Sequence, residues 1–113
     1  HELGALAFAV AARRAGLAVS YLGPDLPVED WIAAAADASA AVIGVVTTRD
    51  RTAALEVARR LRAADRDLVI ALGGQAVPPA PEEIGATRLP EGLREAVGAL
   101  ANAVAQERAR AES

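Results

Sequence analysis

The apolar positions of this chain follow two rhythms, one helical and one unbroken, which alternate from end to end. Over residues 2–15, Leu3, Leu6, Ala7 and Val10 fall on one helical stripe, with Arg13 and Arg14 in the last turn and Gly16 placed to stop the helix. LAVSYL at 17–22 is short and rich in β-formers, and Gly23-Pro24 ends it. Pro27 suits a first helical position, and Glu29 and Asp30 complement the positive end of a second helix over about 28–39. The run AVIGVV at 41–46 reads as a buried strand with Gly44 inside it. Thr48 or Asp50 then caps a third helix whose faces are marked by Leu55, Ala58, Leu61 and Arg62. LVIAL at 68–72 predicts another strand, closed by Gly73-Gly74. A proline-rich stretch, VPPAPEE, leads to a short strand near 86–89. Pro90 then opens a last helix with Leu93, Val97, Leu100 and Val104 on one stripe.

Continuous apolar strands joined by segments of helical length predict a parallel sheet covered on both faces, an α/β doubly wound fold of the flavodoxin-like (Rossmann-like) kind. In the flavodoxin-like order 2-1-3-4-5 the first strand is central. This chain opens on a helix, so a gap is expected between the strands at 17–22 and 41–46. Either a first strand upstream of His1 fills that gap or another segment does. Residues 1–113 are then one domain, and His1 stands on the loop that enters the first helix, at the carboxyl edge of the sheet.

Composition narrows the function classes. Fifteen acids against twelve bases give a net charge of −3, and the bases, all arginine, are spread over several helices, so the chain itself offers no nucleic-acid surface. Cysteine is absent, which excludes disulfides and thiolate metal sites. No apolar run reaches membrane-spanning length, and the expectation is a soluble, cytoplasmic protein. The pairs Arg13-Arg14 and Arg59-Arg60 read as solvated helix faces, and Trp31 as core or partly covered surface.

Candidate chemistry gathers at one edge. His1, the only histidine, and Gly4 lie at the first turn; Gly44, Val46, Thr47 and Thr48 lie at the end of one strand, and Gly73 and Gly74 at the end of the next. Glycines at strand ends let a ligand approach the backbone, because no Cβ intervenes. Each residue also has a structural reading: Gly4 in helix–sheet packing, Gly73-Gly74 in a plain turn, Thr47 and Thr48 as helix caps, and His1 as a solvated chain end.

The ordered set HELG at 1–4, YLGPDLPVEDWI at 21–32 and Gly73-Gly74 resembles the cobalamin (vitamin B12)-binding domain family, whose pattern runs DxHxxG, LGxDVPxExxI and GG. The likeness implies that His1 is the lower axial ligand of cobalt, the one metal ligand expected. It also implies that the benzimidazole tail of the cofactor (adenosylcobalamin or methylcobalamin) enters a narrow slot lined by the small residues Gly44, Gly73 and Gly74, with Gly4 and Val46 also among the cofactor-binding residues. Neutral imidazole suits such a metal. Two departures stand out: the acidic residue of DxH would precede His1, and Gly44-Val45-Val46 stands where the family has Ser-x-Leu, leaving Thr47 or Thr48 to supply the hydroxyl. On this reading a leucine at Gly74 should block the slot and spare the fold.

The apolar run after Gly4 looks most like regulators of the MerR type. That likeness implies a sensor domain without catalysis of its own, open to a light response through adenosylcobalamin, and touching DNA only through an upstream domain. A corrinoid-carrying component of a methyltransferase or mutase is the second reading, and a cofactor-free interaction module the third. Assembly into a homo-oligomer stays open.

Overall fold

The computed structural model describes residues 2–22 and 27–112. Four strands, β1 (Val19–Leu22), β2 (Ala40–Gly44), β3 (Val69–Gly73) and β4 (Ala86–Arg88), form one parallel sheet in the order β1-β2-β3-β4. The helices are α1 (Glu2–Arg14), α2 (Val28–Ala35), α3 (Arg51–Ala64) and α4 (Leu93–Glu112). Two 3₁₀ turns, Thr48–Asp50 and Pro81–Ile84, precede α3 and β4. The α/β fold with a parallel sheet is the one the alternation predicted, and β2 and β3 are buried at every residue, as strands covered on both faces must be.

The expected gap is not there. β1 pairs directly with β2, Val19 opposite Ala40 through Leu22 opposite Ile43. The Ala18 carbonyl starts this ladder by accepting the Ser39 N–H at 2.7 Å. The same capture explains why α2 ends at Ala35 and not near 39: the chain must straighten in time to reach the ladder. The last helix also starts later than expected, at Leu93, where the Gly92 carbonyl accepts the Ala96 N–H at 2.8 Å. Gly16 does stop α1. At φ +81° it closes a Schellman turn in which Leu17 N–H donates to the Ala12 carbonyl and Gly16 N–H to that of Arg13.

Alternation along the strands divides the core in two. Ala41, Ile43, Val45, Ile70 and Leu72 meet α2 and α3, where Trp31, fully buried, is the largest side chain. Ala40, Val42, Val69 and Ala71 meet α1 and α4 through Phe8, Ala12, Leu100 and Val104. The stripe expected on α1 is displaced: Phe8 and Ala12 are buried, whereas Val10 is 43% exposed and Ala7 faces an opening. The side chains of Leu3 and Leu6 lie outside the described set. Alanine carries so much of this helix that apolar character alone does not mark a face; the bulk of Phe8 does. On α4, Ala96, Leu100 and Val104 are buried, Val97 is half-buried, and Leu93, at 44% exposure, lies at the rim of the same opening.

Candidate functional site

The site follows from strand parity. On the α1/α4 face the paired residues of β2 and β3 run Ala40 with Val69, Val42 with Ala71, and Gly44 with Gly73. Toward the carboxyl edge that face therefore loses its side chains altogether, while the opposite face keeps Ile43 beside Leu72. The vacated space is a cavity of about 330 Å³. Ala7 and Phe8 of α1 form one wall, Val42 and Gly73 the floor, and Leu89, Leu93 and Ala96 the other wall. Gly74, Gln75, Pro90 and Glu91 make the rim.

Gly73 and Gly74 are glycines for different reasons. At Gly74 φ is +117° and a Cβ would overlap the Val45 carbonyl oxygen, so the backbone itself demands glycine there. At Gly73 φ is not in the left-handed region, and a Cβ would meet nothing nearer than Leu89 at 3.7 Å, an ordinary contact. The backbone therefore does not demand glycine at Gly73. This corrects the expectation that leucine at Gly74 spares the fold, since the first atom of any side chain there collides with backbone.

The turn at Gly74-Gln75 is pinned from both sides. Val45 N–H donates to the Gly73 carbonyl at 2.7 Å, and Ala76 N–H donates to the Val45 carbonyl at 3.0 Å. Arg51 Nε–H, from the first turn of α3, donates to the Ala76 carbonyl at 2.8 Å. Further along, Arg88 Nη2–H donates to the Pro78 carbonyl at 2.8 Å.

The remaining site candidates divide. Gly4 lies in α1, one turn before Phe8 and on the same helical face by its i, i+4 spacing. Gly44 stands beside Gly73. Val46 and Thr47 lie on the loop beyond β2, Thr48 opens the 3₁₀ turn, and none of the three lines the cavity. Thr47 caps the 3₁₀ turn: its N–H and its hydroxyl both donate to an Asp50 carboxylate oxygen, at 3.4 and 3.1 Å. Its hydroxyl proton is engaged in that cap. His1 and residues 23–26 of the LGPDLP stretch lie outside the described residues. Among the described residues no group of three or more His, Cys, Asp or Glu converges as metal ligands. Sequence reasoning missed Phe8 and Leu89 as walls. The first was signalled by its spacing from Gly4; the second depends on how β4 meets β3.

Electrostatic perturbation lies at the far end of α4. There the Glu107 carboxyl is held below its ordinary value by its hydrogen bonds from Arg110, at 2.6 and 3.0 Å. The walls and floor of the cavity are apolar, and its polar side chains, Gln75 and Glu91, stand at the rim. That distribution suits a flat, mostly apolar group oriented by a few polar contacts. Among the described residues no helix is long and apolar enough to cross a membrane.

Neither the curated proteins nor the solved structures contain a match. The family model of the B12 binding domain matches residues 1–105. That span takes in all four strands, the glycine-floored cavity and most of α4, and the chain belongs to the B12-binding domain family.

Proposed function

We propose that this chain is the cobalamin-holding sensor domain of a transcription regulator, without catalysis of its own. The observation that carries the holding role is Gly73, a glycine that the backbone does not require, on the floor of an open cavity and paired in register with Gly44. A volume of about 330 Å³ is at the lower end for small-ligand pockets, enough for a planar heteroaromatic tail and not for a corrin macrocycle. Phe8 and Leu89 shield the tail from water, and Gln75 offers an amide donor and acceptor at the rim. His1, one residue before α1 in the sequence, would hold the cobalt through its imidazole. The bound cofactor supplies a metal–carbon bond that light or ligand exchange can break. The sensor reading over the carrier reading is supported by the apolar run Ala5–Ala9, where methyl carriers of this family place lysine and asparagine.

A ligand domain controls a DNA-binding partner only if its bound and free states make different contacts. In the full-length protein, adding adenosylcobalamin should therefore change oligomeric state in gel filtration or operator affinity in a DNA titration, and light should reverse the change. His1→Ala should return the bound cofactor to a base-on or water-ligated spectrum, and an unchanged spectrum would sink that assignment. Identical behaviour with and without cofactor, together with methyl transfer to a partner enzyme, would favour the carrier.

A further inference from the structure

Among the described residues Arg51, Arg62 and Arg88 each hold a loop carbonyl, and they are not equivalent. Arg62 ties the Gly85 and Arg66 carbonyls, at 2.7 and 2.9 Å, away from the cavity. Arg88 reaches Pro78. Arg51 alone closes a continuous circuit through the cavity rim: Gly73 carbonyl to Val45 N–H, Val45 carbonyl to Ala76 N–H, Ala76 carbonyl to Arg51 Nε–H. The two residues inside that circuit are Gly74, held at φ +117° against the Val45 backbone, and Gln75 at the rim. A guanidinium bond to a carbonyl in a half-buried setting is among the stronger hydrogen bonds a side chain makes.

We propose that Arg51 is a positioning residue for the ligand: by fixing the Ala76 carbonyl it holds the Gly74-Gln75 turn in the one shape that leaves the slot open. This rests on the cobalamin reading above. Without the guanidinium the turn samples other arrangements, and apparent affinity falls by the fraction of molecules that keep the slot open. The loss is confined to ligands that use the slot.

The test compares cobalamin with cobinamide, the same corrin without the nucleotide tail, titrated into the full-length protein and followed by absorbance. Arg51→Ala should weaken cobalamin about ten-fold and leave cobinamide within about two-fold, with Arg51→Lys in between because one donor is kept. Arg62→Ala, an equally strapped arginine remote from the slot, should leave both ligands unchanged. The inference is overturned if Arg51→Ala binds cobalamin like the wild type, if both ligands weaken equally, or if Arg62→Ala reproduces the effect. Should the wild type bind neither probe, the cobalamin reading itself fails and takes this inference with it. Wild-type binding with an indifferent Arg51 rejects the positioning role alone.

Discussion

At the scale of single residues, two adjacent glycines do different work. Gly74 is fixed by the backbone, through its positive φ and the Val45 carbonyl against it; at Gly73, on the cavity floor, the backbone makes no such demand. Gly74→Ala should destabilise the domain by at least about 2 kcal/mol, since an L-residue in a left-handed conformation costs roughly 1–2 kcal/mol before the steric overlap is counted. Gly73→Ala should hold stability within about 1 kcal/mol, because the new methyl meets only Leu89 and alanine suits a strand interior better than glycine. Gly73→Val, by contrast, projects into the cavity and should lower cobalamin affinity while the fold persists. Urea denaturation of the three variants, with a cobalamin titration of the last, checks all three statements. The sequence shows the pair Gly73-Gly74 but not this division, because φ and the nearness of Val45 are set by a strand about thirty residues away.

At the scale of elements, α1 is where pattern and packing part company. Leu3, Leu6, Ala7 and Val10 make a regular stripe in the sequence, yet Val10 is largely exposed and the sheet receives Phe8 and Ala12. A helix with alanine on several sides is apolar around much of its circumference, so the face is chosen by the one large ring that fits between Val42 and the start of α4. Phe8→Ala should cost about 3–5 kcal/mol, the range for emptying a buried aromatic site, and should widen the cavity. Val10→Ser should change stability by no more than about 0.5 kcal/mol, as expected of a largely exposed position. Thermal unfolding of the two variants decides which face is buried. α2 and the start of α4 also depart from their sequence boundaries, because the local helical signal yields to the β1–β2 ladder at one and to the Gly92 cap at the other.

At the scale of the whole molecule, the sheet separates two cores, and the cavity belongs to only one of them. A ligand that binds the native state stabilises most the segments whose local opening would release it. Hydrogen exchange followed by mass spectrometry should show the largest gain in protection on adding cobalamin in α1 and the first turns of α4, with little change in α3. A gain centred on α2 and α3 would place the ligand elsewhere. The sequence by itself determined the order of helices and strands, the parallel sheet and the position of the glycines, because period and turn chemistry act over a few neighbouring residues. HELG, LGPDLP and Gly73-Gly74 carried the family as well, each being a short contiguous motif. Only the tertiary structure decided that β1 lies directly against β2, that Phe8 and not Val10 faces the sheet, and that Arg51 closes the turn after β3. Each of these joins segments far apart in the chain, and such contacts are chosen by competition among packing arrangements that no local pattern encodes.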